Sequence, residues 1–227
     1  NVIYKGNPGL TPTFTNSFDL GYLQKIGKLT LNSSIYFQHS INSILRVSRD
    51  EIRLLDGVNQ VITIREPINL ASEDRFGFEL TANYNPSKKV RLSGSFNVFQ
   101  QESKGLYAYN KFIIDEITGA ISATPETQDL GNTNNSWFTR FNATFSLPWK
   151  IQMQNRLSYR GPRNTAQSES EGIFSANIAL SKDVFKEKGS LVLNVSDVFN
   201  SRKRKSTNYN PSIENPTSIS YQESQWR

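Results

Sequence analysis

Apolar and polar residues alternate with period 2 along most of this chain, in eight separate stretches. A strand turns successive side chains to opposite faces, so each stretch predicts a β-strand with one apolar and one polar face. In the first, Phe14, Asn16, Phe18, Leu20 and Tyr22 alternate with Thr15, Ser17, Asp19 and Gly21; in the second, Leu29, Leu31, Ile35 and Phe37 alternate with Thr30, Asn32, Ser34 and Gln38. The third sets Phe76, Phe78, Leu80, Ala82 and Tyr84 against Gly77, Glu79, Thr81, Asn83 and Asn85. In the fourth, Val90, Leu92, Gly94, Phe96 and Val98 oppose Arg91, Ser93, Ser95 and Asn97. The fifth sets Trp137, Phe141, Ala143, Phe145 and Leu147 against Phe138, Arg140, Asn142, Thr144 and Ser146. The sixth sets Ile151, Met153, Leu157 and Tyr159 against Gln152, Gln154, Arg156, Ser158 and Arg160. In the seventh Phe174, Ala176, Ile178 and Leu180 alternate with Ser175, Asn177, Ala179 and Ser181, and Leu191, Leu193 and Val195 open the eighth.

The connections alternate too. Tight turns fall near Lys25 to Lys28, Pro86 to Lys89, Pro148 to Lys150 and Phe185 to Gly189. Between them lie stretches rich in Asn, Ser, Thr, Gly, Pro and charge, at about 47–73, 105–136 and 161–172 with a tail from about 200 to 227, which read as long loops. Short turns on one side and long loops on the other are the pattern of bacterial outer-membrane barrels, in which the short turns are periplasmic. The predicted fold class is therefore all-β, an antiparallel up-and-down transmembrane β-barrel contributing about eight strands. On this reading the chain starts at the head of a descending strand and ends after an ascending one. Both ends then lie on the long-loop side, whereas such barrels keep theirs in the periplasm. The eight strands are expected to form an open sheet that belongs to a larger barrel. A soluble β-sandwich also alternates. It fits less well, because the polar faces here are built of Ser, Thr, Asn and Gln and the loop lengths alternate in strict order.

Composition sharpens this picture. Of 227 residues only 36% are hydrophobic, yet 11% are aromatic, which separates the chain from disordered sequences. A mean hydropathy of -0.52 and no apolar run near the roughly 20 residues a spanning helix needs leave strands as the spanning element, since a strand needs only about 9–11 residues with every second one facing lipid. There is no cysteine, so no disulfide framework or thiolate metal site can form. The net charge of +6 is scattered over strands and loops rather than gathered in a stripe, which argues against nucleic acid as a partner. No signal peptide opens the chain at Asn1, and it is expected to be an internal fragment.

Asn7-Pro8-Gly9-Leu10-Thr11-Pro12, followed by Thr15-Asn16-Ser17-Phe18-Asp19-Leu20-Gly21-Tyr22, resembles the stretch of TonB-dependent receptors in which a loop descends into a late barrel strand; Thr13 and Asp19 depart mildly from that pattern. Leu147-Pro148-Trp149-Lys150, Tyr159-Arg160-Gly161-Pro162-Arg163, Leu180-Ser181-Lys182-Asp183 and above all Leu193-Asn194-Val195-Ser196-Asp197-Val198-Phe199-Asn200-Ser201-Arg202-Lys203 resemble the TonB-dependent-receptor-like barrel family of Bacteroidetes. The resemblance covers most of residues 7–205. It implies that 1–227 is a single segment from the C-terminal part of a barrel of 22 strands, with a closing strand expected beyond Gln225-Trp226-Arg227. It further implies import of a scarce ligand such as a metal chelate, vitamin or oligosaccharide. The implied partners are outer-membrane lipid and lipopolysaccharide, the remainder of the barrel, a plug domain, TonB and a surface lipoprotein. The other function class in view is a structural or secretion-associated barrel that binds partner proteins without import.

Candidate chemistry is sparse. The only histidine, His39, sits at the outer end of the second segment and has no nucleophile beside it, so no catalytic, cofactor or metal site is assigned and the chain is not expected to be an enzyme. Asp115-Glu116 before Thr118-Gly119 reads as a hairpin tip, because the ligand spacing of a calcium loop is absent. Arg202-Lys203-Arg204-Lys205 has two readings, a grip on lipopolysaccharide phosphates or a solvated run at a strand exit. Tyr22, Tyr84, Trp137, Trp149 and Tyr159 fit interfacial girdles. Substrate contact falls to loop residues such as Tyr107, Tyr109, Phe112, Tyr209 and Tyr221, with no basis for choosing among them.

Overall fold

The computed structural model describes residues 2–55, 57–70, 72–115, 117–185, 188–209 and 216–223. Asn1, Glu116 and the expected stopping point at Gln225-Trp226-Arg227 lie outside the described residues. The strands in chain order are β1 (Val2–Tyr4), β2 (Phe14–Ile26), β3 (Leu29–Ile41), β4 (Ile44–Leu55), β5 (Val58–Asn69) and β6 (Ser72–Ser87). There follow β7 (Val90–Lys104), β8 (Leu106–Ile114), β9 (Ile121–Asp129), β10 (Asn132–Leu147), β11 (Ile151–Arg160) and β12 (Arg163–Thr165). The last are β13 (Ser168–Ser170), β14 (Ile173–Val184), β15 (Gly189–Val195), β16 (Lys203–Tyr209) and β17 (Pro216–Glu223).

The eight stretches of alternating pattern are β2, β3, β6, β7, β10, β11, β14 and β15, and they pair in that order in one eight-stranded antiparallel sheet. Its outer strands, β2 and β15, do not pair with each other, so the sheet is open as expected. Register carries each face across the strands without a break. Leu20 opposes Ile35, which opposes Phe78, which opposes Val98, which opposes Trp137. Farther toward the short turns, Phe141 lies between Gly94 and Leu157, Phe145 between Val90 and Met153, and Leu180 opposes Leu193. The reverse face runs from Ser34 through Glu79, Asn97 and Phe138 to Arg160, with Arg140 between Ser95 and Ser158 and Asn177 opposite Arg156.

One face of the sheet is thus apolar and unburied: Phe18, Leu20, Phe76, Phe141 and Leu193 are all exposed. A continuous exposed apolar surface of this kind is foreign to a water-soluble monomer and is what a lipid-facing wall requires. Turn chemistry agrees with the short ends. Gly27 takes the left-handed conformation (φ +57) that the two-residue turn between β2 and β3 needs.

The segments read as long loops are corrected by the structure. They are strands: β4 pairs with β5 along its whole length, β8 with β9, and β12, β13, β16 and β17 form a small sheet in that order. Part of their apolar side chains are buried within this assembly, while others, Leu54, Val61 and Leu106 among them, stay exposed. Val47, Ile64, Ile62 and Leu130 are all within 2% of complete burial, which polar composition by itself concealed.

Candidate functional site

The extra hairpins all extend from the long-loop end of the eight-stranded sheet. Where β3 gives way to β4 the chain kinks at Asn42, a non-glycine residue in the left-handed region (φ 56), and Asn69 Nδ2 donates to the Asn42 carbonyl at 2.7 Å. Leu70 N closes the same junction on Ser43 O, and Leu130 N closes the β7 to β8 junction on Gly105 O at 2.8 Å. Each hairpin therefore leaves the sheet at a bonded corner rather than along a loose loop.

Beyond these corners the hairpins pack together. Val47, Leu70, Tyr107, Tyr109 and Leu130 form a buried cluster against which Leu45, Ile68 and Ala166 rest. Tyr107 and Tyr109 stack with ring centroids 5.7 Å apart, their hydroxyls donating to Glu66 and Glu126 at 3.0 Å. Burial pushes the Tyr107 phenol well above its ordinary value, and the Glu66 carboxylate adds to the shift. Around this cluster Arg49 pairs with Glu51 and Glu66, Arg53 with Glu51, and Lys5 with Glu66. Burial would raise the Glu51 carboxyl, but its hydrogen bonds to Arg53 and Arg49 outweigh that and hold it below the usual range. Gln167, 9% exposed, ties three hairpins: its Oε1 accepts from Ser48 N at 2.9 Å, and its Nε2 donates to Ser48 O and Gln128 Oε1 at 3.1 Å. Its own carbonyl accepts from Tyr209 N at 2.8 Å.

Two sheet faces in this assembly enclose an open cleft. From one side come Arg46, Ser48 and Arg65 of the β4–β5 hairpin, and from the other Arg204, Ser206, Asn208, Ser220 and Gln222 of β16 and β17. Pairing explains why they share faces, since Ser48 opposes Arg65, Arg204 opposes Gln222 and Ser206 opposes Ser220. Among the described residues no carboxylate lines the cleft. Guanidinium forks there can donate two-point hydrogen bonds to oxyanions, and the serine, asparagine and glutamine side chains can meet hydroxyls.

The structure sorts the residues singled out from sequence. Tyr107 and Tyr109 belong to the buried cluster, at 5% and 8% exposure, and Tyr109 also borders the open groove beside Phe112. Phe112 is half-buried beside an open groove with Arg49, Glu51 and Glu126, while Tyr209 and Tyr221 are exposed on β16 and β17. His39 Nδ1 is hydrogen-bonded at 2.6 Å to Asp74, its directly opposed partner on β6. Among the described residues no cluster of ligands could hold a metal ion. Asp115 caps a hairpin tip as expected, its Oδ1 accepting from Ile117 N and Thr118 N. Trp137 packs on Tyr159 at 4.4 Å and lies 6.1 Å from Phe96, an aromatic band at the long-loop end, while Trp149 stands exposed at a short turn.

The basic run is divided by the pleat of β16. Lys203 and Lys205 point to one face, paired with Glu223 at 3.1 Å and Glu171 at 2.9 Å, and Arg204 points to the other, into the cleft. The Asp197 segment proves to be a built corner. Burial would raise its carboxyl, but Arg202 N, Ser201 N and the Ser201 hydroxyl donate to it and hold it below the ordinary value. Asp197 and Asn200 take the left-handed conformations, tolerated by such side chains, that turn the chain from β15 toward β16. Sequence reasoning missed Arg46 and Arg65, since the alternation of Leu45, Val47, Arg49 and Glu51 with Arg46, Ser48 and Asp50 was hidden by its charged members.

A model described as an outer membrane protein beta-barrel family matches residues 1–227. No curated protein and no solved structure matches the chain.

Proposed function

Since the chain belongs to the outer membrane protein beta-barrel family and lies in the bacterial outer membrane, we propose that it forms part of the wall of a TonB-dependent-type import barrel. In this reading the exposed apolar face meets lipid and the polar face lines the lumen. The hairpin assembly stands outside the cell as a rigid binding surface for a scarce ligand such as a metal chelate, vitamin or oligosaccharide. The observation that carries it is the asymmetry of the two ends. Among the described residues one end has only tight turns, whereas the other holds hairpins locked by a buried core and by Gln167. Surface loops fixed on a rigid scaffold are where binding sites are placed.

The sequence motifs shared with TonB-dependent receptors add a plug domain, the remainder of a 22-stranded barrel, TonB and a surface lipoprotein as proposed partners, with lipid and lipopolysaccharide around the wall. The chain itself does no chemistry in this reading. The test replaces the β8–β9 hairpin, Gly105 to Leu130, by a short turn in the full-length protein. Uptake of the ligand should be lost while the barrel still inserts, and wild-type uptake should stop when TonB is removed. Intact growth and uptake, with loss only of a partner protein at the surface, would favour a structural or secretion-associated barrel instead.

A further inference from the structure

The cations of the hairpin assembly are mostly paired. Arg49 and Arg53 hold Glu51, Lys203 holds Glu223 and Lys205 holds Glu171. The three arginines of the cleft between β4–β5 and β16–β17 differ. Among the described residues the side chains of Arg46 and Arg204, whose backbones pair in β4–β5 and β16–β17, have no carboxylate or hydrogen-bond partner. Among the same residues the Arg65 side chain reaches only the hydroxyl and ring of Tyr4, and its buried Nε has no partner. A buried guanidinium N–H left unpaired costs free energy that a bound acceptor would recover. Three guanidinium groups facing one space also repel, and an anion between them removes that repulsion.

We propose that this cleft binds an acidic oligosaccharide. Its carboxylate or sulfate groups are gripped by Arg46, Arg65 and Arg204, and its hydroxyls are met by Ser48, Ser206, Ser220 and Gln222. Arginine suits planar oxyanions because its fork makes two parallel hydrogen bonds, while the short hydroxyl and amide side chains on both walls suit a polyhydroxylated chain better than an apolar ligand. This inference rests on the import reading and narrows its ligand class.

The experiment measures binding of tetragalacturonate to the full-length protein in detergent, with a neutral galactose oligomer of equal length as control and deacylated lipopolysaccharide as competitor. The variants are Arg46→Gln/Arg204→Gln and Arg65→Lys, each checked for native mobility in unheated gels. Tetragalacturonate should bind in preference to the neutral oligomer, the double variant should bind at least roughly tenfold more weakly, the change expected for about 1.4 kcal/mol, and Arg65→Lys should weaken binding although the charge is kept. Equal affinity for the neutral oligomer, or unchanged affinity in correctly folded variants, overturns the proposal. Tighter binding of lipopolysaccharide at the same arginines also overturns it, by giving the cleft to a membrane component. Uptake separates the two readings: binding without TonB-dependent uptake defeats import but leaves the cleft, and uptake that is indifferent to the variants defeats the cleft but leaves import.

Discussion

The ring of Tyr36 lies across Gly77, its directly opposed partner on β6, so closely that a Cβ at position 77 would stand 2.3 Å from Tyr36 Cζ. The ring is held there by Arg75, whose guanidinium sits 5.9 Å from its centroid, and by the 3.3 Å bond that Asn97 Nδ2 donates to its hydroxyl. Aromatic cover of a strand glycine shields an otherwise bare backbone and pins register. Gly77→Ala should destabilise the sheet by about 1–3 kcal/mol, the usual cost of overpacking, and Tyr36→Ala in the same chain should make the alanine tolerable. Urea unfolding of the single and double variants measures the coupling, and additive costs would show that the ring does not depend on the glycine.

Depth should separate two substitutions on the same apolar face. Phe145 is two residues from the end of β10 at Leu147, whereas Phe141 is four residues deeper. Phe141→Arg should cost about 2–4 kcal/mol and Phe145→Arg about 0–1 kcal/mol, because the penalty for a cation falls from the bilayer midplane to its edge. Folding into lipid vesicles against urea reads both, and equal costs would put the membrane elsewhere along the strand.

The corner after β15 should be sensitive to acid. Asp197 is held below its ordinary value of 3.8 when folded, so its contribution is fully present above that value and is lost as pH falls through the lower, folded one. Protection of the Ser201 and Arg202 amides, taken relative to the intrinsic exchange rate at each pH, should be high at neutral pH and fall below about pH 4. Asp197→Ala should lower that protection at all pH values and remove its dependence on pH; a wild-type profile in that variant would contradict the cap.

Gln167→Ala leaves both backbone groups of Ser48 without their partner in a nearly closed site. Loss of such bonds should cost about 1–3 kcal/mol, and the effect should be local. Exchange should rise across Ile44–Leu55 and not in β6 or β7, while exchange spread through the whole sheet would mean that the hairpins are not a separable unit.

Protease added to intact cells should cut at the tip between β8 and β9, where Ile117 is 96% exposed, before it cuts the turn at Pro86 to Lys89. Cleavage confined to the short turns would invert the topology. The remainder of 105–136 should resist, since it is paired as β8, β9 and the start of β10.

Period-2 alternation by itself determined the eight strands, their order and their lipid face, because in a meander each strand pairs with its neighbours and a one-residue slip would turn every phenylalanine to the wrong side. Phe78, Leu80 and Phe96 could be placed beside one another from Phe76–Tyr84 and Val90–Val98 alone. The tip at Asp115 was legible for the same local reason, since its bonds reach only two or three residues. Tertiary structure decided the rest. Tyr107 is buried because residues 41 and 60 positions away, Glu66 and Gln167, help fix the hairpins around it, and no local pattern separates a tyrosine sealed by such neighbours from one offered to a ligand. The same holds for the arginine cleft. Arg65 and Arg204 are 139 residues apart in sequence, and what brings them to one space is the tertiary placement of two hairpins tied through Gln167, which bonds Ser48 on β4 and Tyr209 on β16.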